Sequence, residues 1–493
     1  MDPHADNNVQ TLSEQDSEKT RGQRQRMLAL HPIDLTVLVV YLLGVAGLGI
    51  FLGRGTKDLS TYLLGDRHLP WWAILGSIVA TETSTATFLS VPAKAFAQDG
   101  DMRFLQLTLG YITGRLVIVV TLLPLFFRGQ IYTAYEVLQV RFGGWVKAIA
   151  ASIFLVTRNL GDGLRLFLTA IALEQVVAWP LPWCIAIIGG ITILYTLVGG
   201  MKAVVWNDCL QFVVYMVGGI IALAIIVNRL PAGTEQLWDF AQAEHKLRWF
   251  DPRFSLTDPY VFWTAFIGGM FLTLGTHGTD QMMVQRYLSA GSQPKAARAL
   301  AASGIVVALQ IGFFLLIGVA LAAFYAAHPP AEPFQRADRV FATFIVNEFP
   351  AGRGLIGLVL AAVFAAAMST LSSSINSSAG SALRDLYVPW VGSENVSDAQ
   401  QLRLGRWLTV VFGLIQIVVG IAARNLKNTV VDNALTVASF SAGLLLGVFA
   451  LGTLTQRVGQ VATSIGLLTG LATLSYVAFL SDWGLAWPWF ALL

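Results

Sequence analysis

Apolar runs long enough to cross a lipid bilayer recur along this sequence from His31 to its C-terminal end. A helix needs about 20 predominantly apolar residues to cross the hydrocarbon core, where only helices and closed barrels can satisfy all their backbone groups. Barrel strands would alternate apolar and polar residues, and these runs do not. Only 12% of the residues are charged, against about 25% in an ordinary soluble domain. The sequence therefore predicts an all-α polytopic membrane protein.

About twelve spans are predicted from these runs. They cover residues 33–53, 71–97, 104–127, 146–174, 181–199, 204–228, 258–285, 297–326, 354–383, 405–424, 430–454 and 460–480. Residues 1–30 are polar and predict a disordered tail, followed by an uncleaved first helix rather than a signal peptide. The last residues, WPWFALL, resemble the start of a further helix that the chain does not complete.

The distribution of lysine and arginine predicts the orientation, because cytoplasmic loops of membrane proteins are enriched in both. The bias modestly favours placing the loop after the first helix inside, with Arg54, Lys57 and, among others, Arg286 on that side. The connection 229–257 is then an external loop. The basic residues of the N-terminal tail argue against this orientation. The net charge of +3 gives no reason to expect nucleic-acid binding.

Two remote spans carry dense hydroxyl clusters. Residues 71–97 read WWAILGSIVATETSTATFLSVPAKAFA, and residues 361–378 read AAVFAAAMSTLSSSINSS. Such hydroxyls can bond back to their own helix and merely bend it. However, hydroxyls and freed carbonyls also suit a small hard cation, and transporters commonly build ion sites near the membrane midplane from interrupted helices. Two such segments in one chain favour a shared ion site.

Helical spacing places several of these oxygens together. The carbonyl of Ala366 and the hydroxyls of Ser369 and Thr370 fall on one helical face, which Ser372 and Ser373 continue a turn later. The alternative is close packing of small residues between membrane helices.

Charged residues inside the spans are the next candidates. Asp208 lies about one turn inside its span, where a cation or the nearby serines of the second cluster could serve as its partner, unless it reaches interfacial water. Arg158, Asp162 and Arg165 have i,i+4 and i,i+3 spacing, which predicts a self-neutralised cluster. The functional alternative is that one of these arginines contacts an anionic solute.

Three further polar residues lie inside or near the ends of spans. Arg115 and Lys94 are near span ends and are predicted to extend toward the membrane surface. His277 is predicted to be a hydrogen-bonded residue at a helix break, with proton transfer as the alternative.

The second and seventh predicted helices are both polar and interrupted. If residues 71–228 and 258–454 are two halves of five helices, the odd number makes them inverted repeats, and each interrupted helix comes first in its half. This is an architecture in which broken helices meet at a midplane site.

Four segments resemble the sodium:solute symporter family, which includes sodium/sugar, sodium/proline, sodium/iodide and sodium/sialic-acid carriers. They are LPWWAILGSIVATETSTATF at 69–88, LYTLVGGMKAVVWNDCLQ at 194–211, GTDQMMVQRYLSA at 278–290 and AAAMSTLSSSINSS at 365–378. The resemblance extends over about residues 32–490. It implies a LeuT-like inverted repeat with an extra helix at 32–53 and at least one C-terminal helix within 460–493, where a last helix would be truncated.

The resemblance also implies site residues. The family's conserved sodium site would use the backbone carbonyls of Ala80, Thr83 and Ala366, together with the hydroxyls of Ser369 and Thr370. A second sodium, bound in some members, would use Asp208, Ser369, Ser372 and Ser373. Solute contacts of relatives fall at Ser84, Thr87, Phe104 and Thr108, and Glu82 falls where proline carriers have an acid. Glu82, His277 and Arg158 complete the candidate solute residues. Because Thr87 and Thr108 replace the amide and the acid of sugar carriers, a typical sugar site is not expected.

These observations predict a sodium-coupled secondary active symporter that imports a small polar or anionic organic solute by alternating access. It would work as a monomer in contact with membrane lipid, in a plasma or bacterial inner membrane. The alternatives are a non-transporting solute sensor on the same core and a carrier driven by protons through Glu82 or His277. An enzyme is not predicted, because no phosphate loop, zinc-type spacing or nucleophile elbow is present.

Overall fold

The computed structural model describes residues 31–129, 131–177, 179–330, 333–334, 337, 339–425, 430–481 and 483–493. These residues form helices and connecting turns, without a strand in the described part of the chain. The predicted polar tail, residues 1–30, lies outside the described residues.

Within the described part of the chain, residues 32–243 form ten helices. They are α1 (Pro32–Gly53), α2 (Leu59–Leu64), α3 (Trp71–Glu82), α4 (Thr85–Phe96), α5 (Gln106–Thr121), α6 (Leu123–Phe126), α7 (Glu136–Phe142), α8 (Gly144–Val177), α9 (Leu181–Arg229) and α10 (Gly233–Ala243).

The second part of the chain forms nine more helices. They are α11 (Phe262–Gly278), α12 (Gln281–Ser289), α13 (Gln293–Ala327), α14 (Arg339–Glu348), α15 (Leu355–Ser381), α16 (Val388–Val391), α17 (Asp398–Ala422), α18 (Val430–Leu454) and α19 (Gln460–Phe479). A π-helical turn, Ala382–Tyr387, joins α15 to α16. A 3-10 turn, Trp487–Ala491, packs against α11 and α18, where the sequence suggested the start of another helix.

Among the described residues, eight helices are long and apolar enough to cross a membrane, and the bent pair α3–α4 adds a ninth. The predicted spans 181–199 and 204–228 together form α9, whose Gly200 has a non-helical φ of 54° and ψ of −151°. The predicted span 258–285 is divided between α11 and α12, so neither part alone reaches span length. The apolar pattern therefore located the spans, whereas single residues decide where a helix bends or breaks.

The first helix of each predicted half is broken. The axes of α3 and α4 differ by 59°, and Thr83 (φ −84°, ψ 88°) and Ser84 (φ −82°, ψ 171°) between them are not helical. Thr279 (φ −133°, ψ −12°) and Asp280 (φ −79°, ψ 127°) separate α11 from α12 in the same way. These two breaks lie where the predicted LeuT-like inverted repeat requires them.

Helix α15 forms the centre of the bundle, and 83% of the residues in its 18-residue apolar stretch are buried. It packs against α1, α3, α8, α9 and α17. Its N-terminal end is held by Asp34 of α1, whose carboxylate accepts hydrogen bonds from the backbone N–H groups of Gly352 (2.9 Å) and Gly357 (3.4 Å). The hydroxyl cluster of α15 is therefore inside the protein rather than against lipid.

The two ends of the bundle are distinguished by their connections. At the end that we call the α2 end, the backbone N–H of Leu69 donates to the carbonyl of Ser289. At the opposite end, the α10 end, the ammonium group of Lys246 donates to three carbonyls that follow α4, those of Ala97, Gln98 and Gly100. The pair α3–α4 thus runs from one end to the other.

A buried carboxylate fixes the connection 229–257 at the α10 end. Asp251 forms ion pairs with Arg253 (2.7 Å), Arg248 (3.0 Å) and Arg103 (3.4 Å). Hydrogen bonds from Arg253 hold the pKa of Asp251 below its ordinary value. The carboxylate therefore stays charged and links this connection to the turn before α5.

Close backbone contact between α4 and α13 makes a testable prediction. A Cβ at Gly318 of α13 would lie 2.0 Å from the carbonyl oxygen of Pro92 in α4, whereas a Cβ at Gly312 would lie 3.7 Å from its nearest atom. Overpacking costs about 1–3 kcal/mol even where side chains can adjust, and here a backbone oxygen must move. We expect Gly318→Ala to lower the melting temperature of the purified protein clearly, and Gly312→Ala to leave it unchanged. Equal melting of the two variants would contradict this packing.

Candidate cation and solute site

The break between α3 and α4 leaves two backbone carbonyls without their helical partners. The backbone N–H of Ser84 donates to Glu82 instead of to Ala80. The carbonyl of Ala80 accepts a hydrogen bond from the hydroxyl of Ser369 in α15 (3.0 Å), and the carbonyl of Thr81 accepts one from Thr370 (2.9 Å). The broken helix and the hydroxyl cluster, far apart in sequence, therefore meet inside the bundle.

The five residues of the predicted sodium site take different positions around this contact. The hydroxyl of Ser369 also lies 3.2 Å from the carbonyl of Ala366, so Ala80, Ala366 and Ser369 are in direct contact. Thr370 bonds to the adjacent carbonyl of Thr81. The predicted ligand of Thr83 is its backbone carbonyl, and its side-chain hydroxyl donates separately to Gln310 of α13 (2.8 Å). The geometry brings carbonyl and hydroxyl oxygens together, and sodium binding by these residues remains a prediction.

The residues of the predicted second sodium site surround a buried ion pair. Asp208 of α9 is fully buried, and its Oδ2 atom lies 3.1 Å from the guanidinium of Arg286 in α12. The same oxygen accepts a hydrogen bond from Ser77 (2.5 Å). Arg286 also donates to Thr81 and to Ser373. We call these residues the Arg286 cluster: Ser77, Thr81, Asp208, Arg286 and Ser373.

Arg286 corrects one expectation from the sequence. It was counted among the loop charges of the inner side, yet its side chain is only 1% exposed. A cation or the serines Ser372 and Ser373 are the predicted partners of Asp208, and in the structure a cationic side chain, that of Arg286, takes this place together with Ser77. The position of Arg286 within a polar helix close to the α11–α12 break was the only sequence feature that could have indicated this role.

A second buried ion pair connects the two helix breaks. Arg115 of α5 is fully buried and forms an ion pair with Glu82 at the end of α3. His277, at the end of α11, lies 3.3 Å from Arg115 and 3.5 Å from Glu82 through its Nε2 atom. The expectation that Arg115 extends to the membrane surface is therefore wrong, because the acid of the broken helix holds its guanidinium inside. His277 has the hydrogen-bonded position expected at a helix break.

Two cavities adjoin the break. The α4 cavity has a volume of about 180 Å³ and the α11 cavity about 140 Å³. Glu82, Tyr111 and Arg165 line both, so the cavities are neighbours. The remaining lining of the α4 cavity mixes hydroxyl, aromatic and aliphatic side chains with one amide and one lysine: Thr83, Ser84, Thr87, Ser90, Val91, Lys94, Phe104, Tyr260, Val307, Gln310 and Ile311.

The predicted solute residues are divided between these cavities. Ser84, Thr87 and Phe104 line the α4 cavity, whereas Arg158 and His277 line the α11 cavity. Glu82 belongs to both. Thr108 is buried, donates to the carbonyl of Leu105 (2.7 Å) and lies outside the lining of both cavities in the described chain.

The charges of α8 are neutralised across helices as well as within α8. Arg165 pairs with Asp162 at 2.6 Å, as its spacing predicted. Arg158 lies 3.7 Å from Asp162 but is in closer contact with Asp280, at the start of α12. The predicted self-neutralised cluster is therefore extended to a second helix, because Asp280 approaches from the α11–α12 break. Arg165 remains 24% exposed, toward the cavities.

Comparison with known proteins identifies similar chains. A model of the sodium:solute symporter family matches residues 62–470. The sodium/sialic acid symporter NanT of Aliivibrio fischeri is 27% identical over 91% of this chain and 88% of its own. The sodium-dependent multivitamin transporter of Oryctolagus cuniculus is 29% identical, over 88% and 68%. Sodium-coupled monocarboxylate transporter 1 of Xenopus laevis is also 29% identical, over 89% and 70%.

A solved structure agrees with the fold. The substrate-bound outward-open state of a Na⁺-coupled sialic acid symporter has a TM-score of 0.85 and 26% sequence identity to this chain. The match covers 93% of this chain and 94% of that one. The predicted LeuT-like fold class is thereby confirmed.

The Glu82–Arg115 pair makes a prediction about stability. Removing one partner of a buried ion pair costs about 3–5 kcal/mol, since the other charge is left uncompensated. We expect Arg115→Met to lower the free energy of unfolding by an amount near the lower end of this range, because the side chain of Glu82 is 19% exposed. Glu82→Gln combined with Arg115→Met should recover part of this loss in a melting experiment. Arg128→Met, at an exposed arginine, is the control. Additive losses in the double variant would show that the two charges do not interact.

Proposed function

This chain belongs to the sodium:solute symporter family and is a sodium-coupled symporter, and we propose that its solute is a small organic anion. The coupled sodium would lie between the α3–α4 break and α15, and the anion in the neighbouring α4 cavity. The contact of Ser369 with the carbonyl of Ala80 is the observation that carries the sodium part of this proposal.

The chemistry of the break supports the cation position. Sodium prefers oxygen ligands, and carbonyl groups freed from helical hydrogen bonds present them without the desolvation cost of a free charge. The carbonyls of Ala80 and Ala366 both lie within reach of the hydroxyl of Ser369. That hydroxyl donates a hydrogen bond to a carbonyl. A bound cation would replace this hydrogen bond, and the hydroxyl would rotate so that its oxygen faces the cation.

The same position explains how sodium would drive transport. Each sodium ion that falls through 100 mV releases about 2.3 kcal/mol. A cation bound to both α3 and α15 would favour the state in which these helices touch, by as much as its affinity differs between the two states. Sodium binding and the shape of the α4 cavity would be linked in this way, because α4 follows α3 across the break.

The balance of charges supports an anionic solute. Arg165 and Asp162 neutralise each other, as do Arg115 and Glu82. Lys94 adds a positive charge to the lining of the α4 cavity, with its ammonium 5.4 Å from the centre of the Tyr260 ring. The lining therefore has an excess of positive charge that a monoanion would balance. Two of the relatives are named for sialic acid and for monocarboxylates, which are anions.

We further propose that one chain is the working unit, placed in the plasma membrane or a bacterial inner membrane. The cation contact joins α3 and α15 of the same chain, so one chain can form this contact by itself. The eight or more apolar helices support a position in a membrane.

The sodium position is tested by removing its hydroxyls. We expect Ser369→Ala with Thr370→Ala to abolish sodium-dependent uptake into proteoliposomes, because two oxygen ligands disappear from one face of α15. Ser377→Ala is the matched control, since this buried serine of α15 bonds within its own helix, to the carbonyl of Ser374. Unchanged sodium dependence in a double variant that reaches the membrane would contradict the proposed position.

The anionic solute is tested by neutralising the excess charge. A hydrogen bond to a charged group is worth about 1.5–3 kcal/mol, so we expect Lys94→Gln to raise the KM for a monocarboxylate about ten- to hundredfold. The apparent affinity for sodium should change little. Arg353→Gln, which removes an exposed arginine in the turn before α15, is the control. The monocarboxylate's neutral amide should not compete for uptake, and effective competition by the amide would contradict an anion site.

A further inference from the structure

Arg286 is the most fully paired buried charge near the proposed cation position. Its Nε atom donates to Ser77 (2.8 Å), its Nη1 atom to the carbonyl of Met282 (2.7 Å), and its Nη2 atom to Asp208 (3.1 Å). Nη2 also contacts the hydroxyls of Thr81 and Ser373. One guanidinium thus joins four helices, namely α3, α9, α12 and α15.

The Arg286 cluster lies directly beside the proposed cation position, on its α2 side. Thr81 follows Ala80 in the chain, and Ser77 lies one turn nearer to the α2 end of α3. Ser373 lies one turn after Ser369 and donates to its carbonyl (2.7 Å). The contacts of Arg286 therefore lie between the proposed cation position and the α2 end.

The helix that carries Arg286 is separated from the preceding helix by a break. Thr279 and Asp280 interrupt the helix between α11 and α12. Helix α12 therefore has a joint at one end, while at its other end the carbonyl of Ser289 accepts a hydrogen bond from Leu69, in the turn that precedes α3. Movement of α12 about this joint would withdraw Arg286 from α3 and α15 together.

We infer that Arg286 is a positioning residue that closes the site toward the α2 end, and that its separation from Asp208 opens the site on that side. This inference rests on the proposed function only for the identity of the ion that leaves. Its energetic basis is that separating a buried ion pair leaves both charges uncompensated inside the protein. The closed state is therefore strongly favoured until the cluster is reorganised.

The contacts of Arg286 involve only one of the two carboxylate oxygens of Asp208, a residue of the predicted second sodium site. Arg286, Ser77 and Thr81 all bind the Oδ2 atom of Asp208. The Oδ1 atom is buried and has no hydrogen-bond partner within the described part of the chain. A second cation on Oδ1 would compete with Arg286 for the same negative charge, so its arrival would weaken the closure.

The experiment measures access to α12 from each side. Met283 is 4% exposed, lines the α11 cavity and lies between the break and Arg286. In protein without native cysteines (Cys184→Ala with Cys209→Ala), Met283→Cys reports access to a membrane-impermeant maleimide. Lys57→Cys, in the exposed loop before α2, identifies the vesicle orientation in which the α2 end faces the reagent.

We expect Arg286→Gln to increase the labelling rate of Met283→Cys at least tenfold from the α2 end and to leave the rate from the α10 end unchanged. Arg286→Lys should give a smaller increase, because an ammonium retains the charge but not the forked geometry. Arg384→Gln is the matched control, since Arg384 is a partly buried arginine near the α2 end that pairs with Glu136 and Gln401 rather than with the cluster.

The labelling rates decide whether Arg286 closes the site. If the folded Arg286→Gln protein is labelled no faster than wild type, or equally faster from both ends, the inference is overturned. If that variant does not fold, Asp208→Asn combined with Arg286→Gln provides the test, because neutralising both partners avoids an uncompensated buried charge. Unchanged labelling in the folded pair variant would overturn the inference equally. Because labelling needs neither sodium nor solute, failure of sodium-dependent uptake would count against the proposed function alone.

Discussion

The hydrogen bonds from Ser369 and Thr370 to the carbonyls of Ala80 and Thr81 hold together the part of this protein on which the rest depends. A broken helix inside a membrane exposes carbonyls that cost several kcal/mol each unless another group satisfies them. Helix α15 supplies that group through hydroxyls, which can rotate. The contact therefore stabilises the break, and under the proposed function a cation would replace these hydrogen bonds. In this way one arrangement serves both the fold and the proposed transport.

Three buried ion pairs near the two breaks follow a related rule, because the two partners of each pair lie on different helices or at a helix break. Glu82 is paired with Arg115, Arg158 with Asp280, and Asp208 with Arg286. Two of these pairs include a residue of the segment that begins at the α11–α12 break. Ion pairs of this kind are satisfied only in a specific packing of helices. Such ion pairs stabilise one packing of the helices. Breaking one pair and forming another would give discrete steps between conformational states rather than gradual deformation.

The sequence predicted the helices and both breaks from local features, namely apolar length and polar clusters, and it predicted the meeting of α3 with α15 from the matching hydroxyl clusters of these two remote segments. It did not predict the partners of Arg115 and Arg286. Arg115 is separated from Glu82 by 33 residues and Arg286 from Asp208 by 78, and such pairing is decided by tertiary packing. Even the local prediction for Arg158 was incomplete, since Asp280 approaches more closely than Asp162. Thr108 was missed for a different reason, since its hydroxyl bonds to nearby backbone, the carbonyl of Leu105 in the turn before α5.

The central claim is that sodium binds where the carbonyls of Ala80 and Ala366 meet the hydroxyl of Ser369. The most direct measurement is a pair of high-resolution cryo-EM maps of the purified protein, one recorded in sodium and one in choline at equal ionic strength. The account predicts a density peak enclosed by these three oxygens in sodium, and its absence in choline. Maps that are identical at this position, or a sodium-dependent peak only at another place, would contradict it.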